Sequence, residues 1–151
     1  MRRNEGDDTT SEYFINGLRI TAEPGWHEID HGYEDPDPAP LMLHKASSGS
    51  VLQFSVPNPR DDGGITLEEL RYWMKDMIKM AKLRRGFDAV EAKGTHLVCA
   101  QSFPGTSRAE FNRLWYWSDR KRLVMVTYGR SGGPDEEDLR ECERMIATMR
   151  F

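Results

Sequence analysis

His27, Glu28 and His31 stand in the run Pro24-Gly25-Trp26-His27-Glu28-Ile29-Asp30-His31, where they spell His-Glu-x-x-His. In zinc peptidases one helical turn brings both imidazoles of that motif to a single metal, and the glutamate beside them acts as general base. The neighbouring residues here oppose a helix. Pro24-Gly25 comes just before the motif, Gly32 follows it at once, and Pro36, Pro38 and Pro40 come soon after. At roughly 3.6 residues per turn, barely two turns fit between these breakers. On a strand, His27 and His31 would share a face but stand about 13 Å apart, at roughly 3.3 Å per residue. Imidazoles that bond zinc at about 2 Å could not both reach one ion across that gap. Glu34, Asp35 and His44 are candidate further ligands, although a chain this acidic offers such candidates freely. The expectation is a strand running into an acidic loop, with no metal and no cofactor. A small zinc metallopeptidase is the alternative that the spelling keeps open.

Other routes to catalysis are weaker. His96 precedes Cys99 by three residues, an odd spacing that puts the two side chains on opposite faces of a strand and separates a nucleophile from its base. No phosphate-binding glycine loop occurs. Asp62-Gly63-Gly64 and Gly129-Arg130-Ser131-Gly132-Gly133 lack the lysine and the glycine spacing of such a loop and read as turns leading into helices. Cys99 and Cys142 lie far apart with no Cys-x-x-Cys, and read as reduced, buried thiols.

The totals bound the remaining choices. The chain has 151 residues, 38% hydrophobic and 30% charged, with 25 acidic against 21 basic residues and a net charge of −4. That length fits one domain with its own core. An acidic balance gives no basic footprint for nucleic acid or for an anionic membrane. Met1-Arg2-Arg3 leads into polar residues rather than an apolar run, so the reading expects a cytoplasmic protein without a signal peptide or a spanning helix.

Residues 1–12 carry no large apolar side chain after Met1 and read as a disordered tail, leaving a single domain over 13–151. The run from Tyr13 to Ile29 reads as two short strands with turns at Asn16-Gly17 and Pro24-Gly25. Residues 31–40 form a loop, and Leu41–Ala46 and Val51–Val56 form a hairpin around Ser47-Ser48-Gly49-Ser50. Thr66 three residues before Glu69 predicts a capping box. Leu67, Leu70, Met74, Met77, Ile78 and Ala81 predict a helical stripe reaching about Arg85, with Gly86 as its stop. Three strands follow, His96–Phe103, Glu110–Trp117 and Arg122–Gly129. The second and third are apolar on both faces, as in a sheet covered on both sides. A last helix has Pro134 in its first turn and Leu139, Cys142, Met145, Ile146 and Met149 as its buried stripe. The fold class is α+β, an antiparallel sheet with two main helices packed on it.

Several short stretches carry a resemblance to the PsbP-like fold: Pro24-Gly25-Trp26, Phe54-Ser55, Thr66-Leu67-Glu68-Glu69-Leu70, the strand from Leu123 to Tyr128, and Met149-Arg150-Phe151. The chain is similar over about residues 13–151 to that superfamily, which includes PsbP, DcrB and the Eag-type chaperones of type VI secretion effectors. The resemblance implies a binding or scaffold protein and carries no shared catalytic residues.

The expected function is therefore binding of another protein. Asp30, Glu34, Asp35 and Asp37 form a negative loop suited to a basic surface, such as the active site of a toxin that cleaves nucleic acid. Trp115-Tyr116-Trp117 reads first as core packing; its functional reading makes Trp115 and Trp117 aromatic anchors for a partner. The leading expectation is a bacterial immunity protein that occludes a cognate toxin. A chaperone for a secreted effector and the zinc peptidase are the alternatives.

Overall fold

The molecule is described by a computed structural model over residues 9–29, 40–57, 64–80, 89–93, 96–104 and 110–151. Asn16 and Gly17 both take positive φ, 46° and 88°, the two left-handed positions that a type I′ turn needs. They join β1 (Ser11–Ile15) to β2 (Leu18–Ala22) as an antiparallel hairpin with Ile15 opposite Leu18. Because β1 begins at Ser11, the expected tail is too long: Ser11 and Glu12 already pair with Ala22 and Thr21. Its first eight residues lie outside the described ones. After the Pro24-Gly25 turn come β3 (Trp26–Glu28), β4 (Leu41–Lys45) and β5 (Ser50–Ser55).

Helix α1 (Leu67–Met80) starts where the sequence marks it. The Thr66 N–H donates to Glu69 Oε1 at 3.1 Å and the Glu69 N–H to Thr66 Oγ1 at 3.2 Å. Each side chain thus satisfies a donor that a helix end leaves bare. The expected end of this helix, from Ala81 to Gly86, lies outside the described residues. Strands β6 (Ala89–Lys93), β7 (His96–Pro104), β8 (Glu110–Ser118) and β9 (Leu123–Ser131) follow, then α2 (Glu136–Ala147). The sequence gives no sign of β6, whose Ala-Val-Glu-Ala-Lys lacks clear alternation. Asp135 is the N-cap of α2, accepting from the Asp138 N–H, so Pro134 stands before the helix rather than in its first turn.

Strands β3 to β9 form one antiparallel sheet in the order β3-β4-β5-β9-β8-β7-β6, and β1-β2 forms a separate ribbon. Alternation sends Leu43, Leu52, Phe54, Trp115, Trp117, Val126 and Tyr128 to one face. There they meet Ile15, Leu18 and Ile20 of the ribbon and Cys142, Met145, Ile146 and Met149 of α2. On the other face Leu70 and Met74 of α1 pack on Leu97, Cys99, Leu114 and Tyr116, over β6, β7 and β8. The β8 run from Leu114 to Ser118 is buried throughout because a helix covers it on each side. Fully burying a large apolar side chain contributes roughly 1.5–3 kcal/mol, so this double cover restrains the sheet strongly.

Candidate functional site

The two described residues of the His-Glu-x-x-His motif that bear its chemistry, His27 and Glu28, are not helical. His27 and Glu28 lie on β3, paired to β4. Alternation puts Glu28 on the face of Trp26, whose ring is buried in the α2-side core, and turns His27 to the opposite face. A glutamate on the other side of the sheet cannot serve as base beside a metal held by His27. The residue directly opposite His27 is His44. His31 lies outside the described residues. Among the described residues, no group of three or more His, Cys, Asp or Glu side chains is placed to hold a metal ion.

Trp115 and Trp117 require a correction as partner anchors. They stand two residues apart, so both point to the α2 side, where each is fully buried. The Trp115 indole N–H donates to Glu143 Oε2 at 3.0 Å. Trp117 packs against His96 and Phe151, with ring centroids at 4.7 and 6.2 Å. The core reading of this aromatic run holds, and neither indole is offered to a partner. Asp30, Glu34, Asp35 and Asp37 lie outside the described residues. Cys99 and Cys142 are both buried and not joined in a disulfide. His96 and Cys99 fall on opposite faces, His96 beside Trp117 and Cys99 in the α1-side core.

The densest polar cluster is one that sequence patterning missed. Asp138, on the inner face of α2, is 1% exposed. Its Oδ2 accepts from the Ser48 and Ser50 hydroxyls, the latter at 2.5 Å, and its Oδ1 accepts from Lys45 Nζ at 3.0 Å. Lys45 also donates to Glu141 Oε1 at 2.9 Å, and that oxygen accepts from the Trp26 indole N–H at 2.8 Å. The Tyr128 hydroxyl meets Ser50 Oγ at 2.9 Å and accepts from the Asp135 N–H at 3.4 Å. Arg130 ties the same corner, donating to the Ser48 and Gly133 carbonyls.

Burial alone would raise the Asp138 carboxyl. The hydroxyls of Ser48 and Ser50 and the ammonium of Lys45 outweigh it and hold the group below the ordinary carboxylate range. Burial would likewise lower Lys45, but its bonds to Glu141 and Asp138 and their charges raise it. Each donor of the cluster is aimed at an acceptor within it, so its chemistry is spent on holding α2 to the β4-β5 hairpin. The signal that could have found it is periodic: Asp138 stands four residues before Cys142, on the stripe the helix buries.

The sheet face that carries His27 and His44 is built differently. On β4, β5 and β9 the side chains turned away from α2, including Met42, His44, Val51, Gln53, Ser55 and Thr127, are half-buried, while their neighbours on the α2 side are fully buried. Helix α1 lies beyond them over β6 to β8. This mixed apolar and polar half-face ends at the β3 edge, next to the start of the acidic segment.

The chain matches no protein-family model and no curated protein by sequence. Among solved structures it is similar to a protein of Bacteroides thetaiotaomicron VPI-5482 determined at 1.50 Å. The TM-score is 0.59 at 12% identity, over 88% of this chain and 44% of that one. The chain thus spans less than half the length of that protein, and the likeness is one of fold alone.

Proposed function

We propose that this chain is a non-enzymatic protein-binding domain, and within that class a cytoplasmic immunity protein that neutralises a toxin by covering its active site. The observation that carries the reading is the uneven cover of the sheet. One face is sealed by α2 and the β1-β2 ribbon. On the other, the half-buried side chains of β4, β5 and β9 lie beside α1 and reach the β3 edge. A surface of this kind, in a chain whose acidic segment with Asp30, Glu34, Asp35 and Asp37 follows β3 in sequence, suits a partner with a basic rim, because opposite charge speeds and selects association. The resemblance of the sequence to the PsbP-like superfamily fits the same class, since members of that superfamily mostly bind or scaffold other proteins.

The face mixes Met42 and Val51 with His44, Gln53, Ser55 and Thr127. That mixture favours a folded domain over the bare apolar helix a secretion chaperone would hold. The test is to co-express the chain with the candidate toxin encoded beside its gene, and to follow host growth and the purified pair by surface plasmon resonance. Rescue of growth with a stoichiometric complex is the expected result, with slower association for Asp35→Lys/Asp37→Lys. Toxicity without relief and no complex would overturn the immunity reading. Binding to an isolated apolar helix, in place of a folded toxin, would turn it to the chaperone.

A further inference from the structure

His27 of the histidine motif lies in a juxtaposition that the spelling of the motif does not show. His27 on β3 and His44 on β4 are register partners. Two residues along, the Ile29 N–H donates to the Met42 carbonyl at 3.0 Å. Antiparallel ladders alternate in steps of two, so His27 and His44 also occupy a hydrogen-bonded pair, with Cα atoms about 5.5 Å apart and side chains on the same face. His27 is exposed and His44 half-buried, at an edge of the sheet that water reaches.

We propose that His27 and His44 together form a two-imidazole site for a borderline transition-metal ion, of the Cu2+, Ni2+ or Zn2+ class, at the β3 edge of the sheet. Two imidazoles rooted across one such pair can converge on an ion that each bonds at about 2.0–2.1 Å. Imidazole is the ligand these ions prefer, whereas Mg2+ and Ca2+ take oxygen. Water fills the remaining positions, so the site binds one ion per chain without any third protein ligand. Order of affinity follows the usual series for divalent ions, with Cu2+ ahead of Ni2+. The site does not rest on the partner-binding reading, although His44 belongs to the same half-face, and it is not that of a peptidase, because Glu28 lies on the other face.

The test is calorimetric titration of the untagged full chain with Ni2+ and with Cu2+, for wild type and for His27→Ala, His44→Ala, His31→Ala and His96→Ala, each checked for folding by circular dichroism. Loss of a mere outer-shell group costs about 10- to 100-fold in metal affinity. Loss of either of two direct ligands should therefore weaken binding at least about tenfold. His27→Ala and His44→Ala should each do so, and His31→Ala and His96→Ala should leave one ion bound with wild-type affinity. Binding lost in His31→Ala but kept in His44→Ala would overturn the pair in favour of the linear motif. Unchanged binding in both His27→Ala and His44→Ala, or no binding in wild type, would overturn it outright.

Discussion

Lys45 Nζ lies 3.0 Å from Asp138 Oδ1, so one ion pair joins the end of strand β4 to the first turn of helix α2 across 93 residues of chain. The side chains are 16% and 1% exposed, which places the pair inside the protein rather than on its skin. Asp138→Ala leaves Lys45 with Glu141 and takes the shared acceptor from the Ser48 and Ser50 hydroxyls. Stranding buried donors costs about 1–3 kcal/mol, and the variant should fall in that range by urea denaturation. A loss under about 1 kcal/mol would show that the cluster rearranges or takes up water, and that α2 is held by its apolar stripe alone.

The same cluster sets a dependence on pH. Asp138 is depressed when folded, so its contribution is present above the unfolded aspartate value of about 3.9 and is lost as pH falls through its lower folded value. Lys45 is raised when folded, so its contribution is present below the unfolded lysine value of about 10.4 and is lost as pH rises through its higher folded value. Between those limits the cluster adds no slope. Asp138→Asn should flatten the acid limb of stability against pH. An acid limb that keeps its slope in this variant would assign it to other carboxylates.

The capping box at the start of α1 is reciprocal, with both bonds formed. Thr66→Ala should cost about 1 kcal/mol, within the usual range for a lost cap. Thr66→Ser keeps the acceptor and should recover most of it. Equal losses for the two variants in thermal melts would mean that the threonine methyl, rather than the cap, carries the effect.

Burial pushes the Cys142 thiol well above its ordinary range, with the charge of Asp138 adding to the effect. Cys99 is fully buried in the other core. Since the thiolate is the reactive form, neither cysteine should be alkylated by iodoacetamide in the native protein at neutral pH, and both should react in denaturant. Rapid native labelling of Cys142, read by peptide mass, would show that α2 lifts from the sheet far more often than its packing implies.

Local chemistry made much of the fold legible. Asn16-Gly17 dictates a tight hairpin turn because asparagine and glycine tolerate the left-handed region. Thr66 and Glu69 mark a helix start by the donors they satisfy, and the stripe through Cys142, Met145 and Ile146 marks a buried helix face by its period. Strand β6 escaped because Ala-Val-Glu-Ala-Lys has no clear alternation, and only its pairing with β7 at a sheet edge marks it as a strand. The Trp115 and Trp117 anchors failed for a related reason: a strand shows which residues share a face, but not which face a helix will cover.

By itself, then, the sequence determined most of the strands and helices and the cap of α1, with β6 and the cap of α2 excepted, since each depends on residues within a few positions of one another. It also determined that His27 and His31 could not be bridged on a strand. Tertiary structure alone decided that β5 lies beside β9, that Asp138 meets Lys45, and that His27 faces His44. Those pairings are set by how two amphipathic helices divide the faces of one sheet. That balance of burial over the whole chain is encoded in no local stretch of it.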